Sequence, residues 1–148
     1  MFREQIMPSS NIRDVVPPAD EIEAGDGPPS PATILRAQAE RWTERTKGEI
    51  VAEVEPTRAS SDKLVYWFSF VVPALDGYRH RLFRIEYGLD YYPVRISKGR
   101  MEHVPTEVPN EDELYAELQR LFTAPETLSI VRQLRSMVGE QRAPGAAR

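Results

Sequence analysis

Between Lys63 and Lys98 the chain reads KLVYWFSFVVPALDGYRHRLFRIEYGLDYYPVRISK, and apolar residues recur at every second position through most of it. A period of two is the signature of strands with one buried face, and the aromatic and β-branched residues that fill it favour strands in their own right. Asp76-Gly77 tolerates the positive φ angles of a two-residue hairpin turn, which predicts Leu75 opposite Tyr78. Zipped outward from there, the strands set Phe70 opposite Phe83, Phe68 opposite Ile85 and Tyr66 opposite Tyr87, all on one face. A second reversal through Gly88-Leu89-Asp90-Tyr91 sets Tyr87 opposite Tyr92, Ile85 opposite Val94 and Phe83 opposite Ile96. A slip of one residue would turn these rings to water, so the pattern fixes the buried face.

Glu49 to Glu55 alternates in the same way, with Ile50, Ala52 and Val54 inward, and predicts a first strand pairing Val54 with Leu64, Ala52 with Tyr66 and Ile50 with Phe68. Pro93 cannot donate to a ladder and places its strand at or near a sheet edge. A tight turn at Lys98-Gly99 allows a short fifth strand carrying Met101 and His103.

The period changes to that of a helix on either side. Ser30-Pro31 is a cap followed by proline at the first helical position, and Ile34, Leu35, Gln38, Ala39 and Trp42 form a stripe that predicts a helix to about Lys47, stopped by Gly48. Asn110-Glu-Asp-Glu113 is a capping box ahead of Leu114, Leu118 and Leu121. Thr123-Ala-Pro-Glu126 repeats that spacing ahead of Leu128, Val131, Leu134 and Val138, with Gly139 as the stop. The fold class expected is therefore α+β: an antiparallel meander of four strands, or of five where the turn at Lys98-Gly99 adds one, preceded by one helix and followed by two. Residues 30–139 form the single domain, 1–29 a flexible, disordered acidic arm punctuated by proline and glycine, and 140–148 a disordered tail.

The same register defines a second sheet face of a different kind. Val65, Trp67, Ser69 and Val71, then His80, Leu82, Arg84 and Glu86, then Pro93, Arg95 and Ser97 mix one indole, several aliphatics and two arginines, a composition typical of protein contact surfaces. Trp67, Arg84 and Arg95 are expected to anchor a partner protein, with Val65, Val71 and Leu82 supplying apolar area and His80 beside them. A third helix packed over this face would close it.

Composition narrows the alternatives. The 148 residues are 41% hydrophobic and 28% charged, with no cysteine, so disulfides, thiol nucleophiles and cysteine zinc sites are excluded. No apolar run approaches the roughly 18 residues of a membrane helix, and the opening Met-Phe-Arg-Glu-Gln-Ile-Met-Pro lacks the layout of a secretory leader, which leads to the expectation of a cytoplasmic protein without membrane contact. The net charge of −4 is unevenly spread. Arg3 and Arg13 face six carboxylates in residues 1–28, whereas Arg79, Arg81, Arg84, Arg95, Lys98 and Arg100 face only Glu86 and Asp90 in residues 78–100. An acidic arm and a basic hairpin invite masking of one by the other.

That basic hairpin, with Trp67, Tyr78 and Tyr91 nearby, also carries the alternative of nucleic-acid binding. Strict alternation puts Arg79 and Arg81 on one side and Arg84 and Arg95 on the other, which weakens it. A metal-dependent nuclease would need two carboxylates and a lysine. Asp76 and Glu86 are the available carboxylates, yet the lysine position is Gly88 and Asp76 has a turn to make. His80 and His103 sit in no ligand or nucleophile motif, no glycine-rich phosphate loop is present, and no motif implies a cofactor. A small-ligand cavity between sheet and helices is a third possibility on which the sequence is silent.

Overall fold

The structure, a computed structural model, describes residues 11–58, 62–98 and 104–142. Residues 11–29 run over the surface without burying a side chain and make one turn of 3-10 helix at Ala19–Glu21. Helix α1, Pro31–Arg45, begins where the Ser30 hydroxyl accepts the Thr33 N–H and ends at Thr46, followed by Lys47 and Gly48 at positive φ. The stripe read from the sequence is the buried one: Ile34, Leu35 and Ala39 are sealed and Trp42 packs against the core. Thr46 locks the turn into the sheet, its hydroxyl donating to the Ile50 carbonyl while accepting the Ile50 N–H.

Five strands follow: β1 Val51–Thr57, β2 Leu64–Val72, β3 Tyr78–Tyr87, β4 Val94–Lys98 and β5 Thr106–Val108. They pair antiparallel in chain order, a meander. The fifth strand is not the one expected: Met101 and His103 lie outside the described residues, and β5 is built from Thr106–Val108, with Val108 buried opposite Val94.

Every hairpin register differs from the simple zipping. β1 and β2 pair Val54 with Phe68 and Ala52 with Phe70, four residues from expectation, because β1 runs on to Thr57 opposite Val65 and so shortens the connection that a Val54–Leu64 pairing implies. β3 and β4 pair Ile85 with Ile96, two residues from expectation. Between β2 and β3 the turn at Asp76-Gly77 is widened by a 3-10 turn at Pro73–Leu75, so that Val72, not Leu75, faces Tyr78. The shift there is odd, and a bulge restores the parity: Ser69 pairs with Arg81 while Phe68 pairs with Phe83, leaving Leu82 as the extra residue.

Two helices complete the chain, α2 Glu111–Thr123 and α3 Pro125–Arg142. Asn110 caps α2 by accepting the Glu113 N–H at 2.9 Å, as its capping box predicts. Thr123 does not cap α3. It is the last residue of α2, its hydroxyl donates back to the Gln119 carbonyl, and only Ala124 separates the two helices. Gly139 does not stop α3 either. One more turn brings Arg142 to Glu49, which Arg135 already holds at 2.7 Å, so the last turn is secured by an ion pair across the helix layer.

All three helices cover the same side of the sheet. Leu35 and Ile34 of α1, Leu114 and Leu118 of α2, and Leu134 and Val138 of α3 join Phe68, Phe70, Phe83, Ile85 and Val94 in one buried cluster. Its centre is aromatic: Phe68 stacks on Phe83 at 5.2 Å, and the Phe122 ring tilts onto Phe68 at 5.1 Å. Such ring pairs add to the area buried, which makes this centre the main stabilising feature of the fold.

Candidate functional site

With the helices on one side, no described helix covers the other. Alternation places Val51, Glu53, Glu55 and Thr57 of β1, Val65, Trp67, Ser69 and Val71 of β2, and Glu86, Arg95, Ser97 and Glu107 of the later strands on that face. Arg84 joins them directly opposite Trp67. Five of the seven expected contact residues, Trp67, Arg84, Arg95, Val65 and Val71, thus share the face.

Leu82 and His80 do not, and the bulge is the reason. An extra residue between Phe83 and Arg81 inverts the alternation of β3 from that point to the turn. Leu82 packs against the helix-side core, and His80 lines a cleft of about 250 Å³ with Tyr78, Ile130 and Met137 of the helix side. In their place the bulge delivers Arg79 and Arg81 to the Trp67 face. The arginines that strict alternation divides are therefore gathered on one surface, which the sequence concealed because nothing in Arg81-Leu82-Phe83 marks a bulge.

Their geometry separates them into two kinds. Arg79 crosses the sheet to β1, where it bridges Glu53 at 3.0 Å and also Glu55. Arg95 reaches Glu107 on β5 at 4.0 Å. Arg81 and Arg84 have no carboxylate partner among the described residues and instead both approach one indole: the Arg81 guanidinium lies 4.9 Å from the centre of the Trp67 ring and that of Arg84 6.0 Å. A guanidinium over an indole keeps most of its hydrogen-bond donors free at its rim, so the three side chains form a stiff platform with an aromatic centre and a cationic border.

Two acceptors beside this platform lack partners among the described residues. Ser69, two residues from Trp67 and opposite Arg81, is fully buried and its hydroxyl makes no hydrogen bond; one carboxylate oxygen of Glu55, opposite Trp67, is buried and likewise unpaired. Unpaired buried polar atoms cost stability and are uncommon in folded proteins. A third, the Tyr92 hydroxyl, lies on the other side of the sheet.

The remaining sequence candidates are placed apart. Asp76 is a turn residue with φ 59°. Glu86 lies ten residues further along, past eight strand steps of about 3.3 Å each, so these two carboxylates stand at opposite ends of β3 and share no metal. No cluster of three acidic or histidine side chains able to hold a metal occurs among the described residues. Tyr78 and Tyr91 do not join Trp67: Tyr78 lies at the hairpin end, on the other side of β3, and Tyr91 packs edge-on to Tyr87 at 6.1 Å on the helix side. No described helix is long and apolar enough to cross a membrane.

Two tyrosines on the core side of the sheet have raised pKa values. Tyr87 is raised chiefly by burial and then by the neighbouring Tyr66, on which it stacks. Tyr92 is pushed up to about 12 by burial first and then by the carboxylate of Glu111. Both belong to the core side of the sheet, and neither points to the Trp67 face. Comparison with protein-family models, with curated proteins and with solved structures finds no match to this chain.

Proposed function

We propose that the protein is a binding module that docks another protein on its helix-free sheet face. The observation that carries this is the Arg81–Trp67–Arg84 platform, two guanidinia without carboxylates among the described residues beside one indole, set on a surface that no described helix covers. Tryptophan and arginine dominate binding hot spots because each brings large area and directional polar contacts at low entropic cost. Val65 and Val71 flank Trp67 along β2. The partner that fits presents carboxylates to Arg81 and Arg84 around an apolar contact on the indole.

Nucleic acid remains the second reading, because Arg79, Arg81, Arg84 and Arg95 share the face. Charge balance favours protein. Glu53, Glu55, Glu86 and Glu107 interleave with those four arginines, so the surface is locally neutral, and Trp67 is the single aromatic among its described residues. A phosphate-tracking surface calls for a net basic stripe and several stacking rings.

The test is capture of native partners from the protein's own cells by the wild-type chain and by Trp67→Ala/Arg84→Ala. The expected result is a protein retained by the wild type, by a nuclease-treated extract as well as an untreated one, and lost by the double variant. Retention by both chains refutes the site, and loss on nuclease treatment alone moves the function to nucleic acid.

A further inference from the structure

On the helix side of the molecule, away from Trp67, α1 and the α2–α3 junction enclose a cleft of about 390 Å³. Its wall on α1 is one helical stripe, Gln38, Arg41, Trp42 and Arg45, spaced so that all four side chains face the same way. Its opposite wall is Phe122 from the end of α2 and Leu128 from the start of α3. Trp42 closes the floor by edge contacts to Phe122 at 5.7 Å and to Phe70 at 5.1 Å.

We propose that this cleft binds a small organic anion, a carboxylate carried on a single aromatic ring or a short aliphatic chain. The floor supplies an apolar surface and the rim supplies charge. Arg41 and Arg45 are exposed, one turn apart, and without a carboxylate partner among the described residues, although Glu40 and Glu44 lie on the same helix. Elsewhere on the helix layer Arg120 pairs with Glu117, Arg135 and Arg142 share Glu49, and Arg36 lies over the Tyr66 ring; Arg132 on α3 is exposed and likewise without a carboxylate partner among the described residues, but it does not line this cleft. Two like charges a turn apart repel slightly, and the helix dipole accounts for Arg45 in the last turn but not for Arg41. A carboxylate seated between them relieves the repulsion and gains charge-assisted hydrogen bonds. Gln38 adds a neutral donor, whereas Thr123 is already committed to the Gln119 carbonyl.

Size and shape set the ligand class. The volume lies at the small end of ligand cavities, which excludes a dinucleotide, and the aromatic floor is wasted on inorganic phosphate. Trp42 lines the cleft and forms its floor, so its indole signal serves as the reporter of occupancy.

The experiment titrates the full chain, labelled with nitrogen-15, with 4-phenylbutyrate and separately with the uncharged 4-phenylbutan-1-ol. The expected result is a saturable shift of the Trp42 indole signal with the acid, while the Trp67 indole stays in place as internal control, and binding of the alcohol about tenfold weaker. Arg41→Gln/Arg45→Gln, both on the exposed rim, should lower affinity for the acid to that of the alcohol and leave the alcohol unchanged. Equal affinity for acid and alcohol, an unshifted Trp42 signal, or full affinity for the acid in the double variant would each overturn the assignment. Failure here leaves the sheet-face proposal untouched, because the two sites share no residue.

Discussion

Replacing Tyr92 by phenylalanine should stabilise the protein, and more so in alkali. The Tyr92 hydroxyl oxygen is buried without a hydrogen-bond partner among the described residues, while the ring packs against the helix-side core, so Tyr92→Phe deletes only the costly atom. Leaving a buried hydroxyl unpaired costs about 1–3 kcal/mol, and the lower end applies to a ring that is only partly buried. A gain of about 1 kcal/mol raises the urea midpoint by about 0.5 M at a slope of roughly 2 kcal/mol per molar. The pH dependence has a definite sign. A tyrosine raised to about 12 stays neutral in the fold where the unfolded chain, at about 10, has begun to ionise. Its contribution is therefore intact below about pH 10 and is lost as pH rises toward about 12. Two units would be ~2.7 kcal/mol at face value, and solvent screening around a partly exposed ring reduces this to about 1 kcal/mol. Urea unfolding followed by circular dichroism, at neutral pH and at two alkaline values, measures both effects. An unchanged or lower midpoint at neutral pH, or an alkaline limb as steep in Tyr92→Phe as in the wild type, would refute the reasoning.

Two further outcomes check the fold and its electrostatics. Glu49 is held below the usual carboxylate range, first by its hydrogen bond from Arg135 and then by the charges of Arg135 and Arg142, so its contribution is present above about pH 4.3 and lost as pH falls further; acid titration of Glu49→Gln should show a shallower loss of stability below that pH than the wild type, and identical curves would sink the assignment. Phe68→Ala should cost about 4 kcal/mol, since the ring is fully buried between Phe83 and Phe122, whereas Trp67→Ala, one residue away on the helix-free face, should cost under about 2 kcal/mol; equal costs in chemical denaturation would mean that both faces are core.

The arrangement of helices was legible because its signals are local. Ser30 before Pro31, Asn110 three residues ahead of Glu113 and a glycine after Lys47 each act within one turn, and each does what its chemistry predicts. Where a signal competes with tertiary contact it gives way: Gly139 is carried through α3 because Arg142 gains Glu49, and Thr123 forgoes capping for a bond to the Gln119 carbonyl.

The strands teach a sharper distinction between parity and register. Which residues point inward depends on the alternation of rings and charges, and Ile50, Ala52, Phe68, Phe70, Phe83, Ile85, Val94 and Ile96 are all on the buried side as that alternation requires. Which residue sits opposite which depends on the lengths of the loops between strands, and there the pattern is blind to any even shift. Two of the hairpins are displaced by even numbers for this reason, four residues at one and two at the other. The third could not be, because its turn imposes an odd shift, and the conflict between a turn that demands one parity and rings that demand the other is resolved by setting Leu82 aside as a bulge. That single residue exchanges His80 for Arg81 on the outer face. The site proposed for docking therefore owes its second guanidinium to a mismatch between loop and strand, and deleting Leu82 should remove Arg81 from Trp67 or force the turn to rearrange.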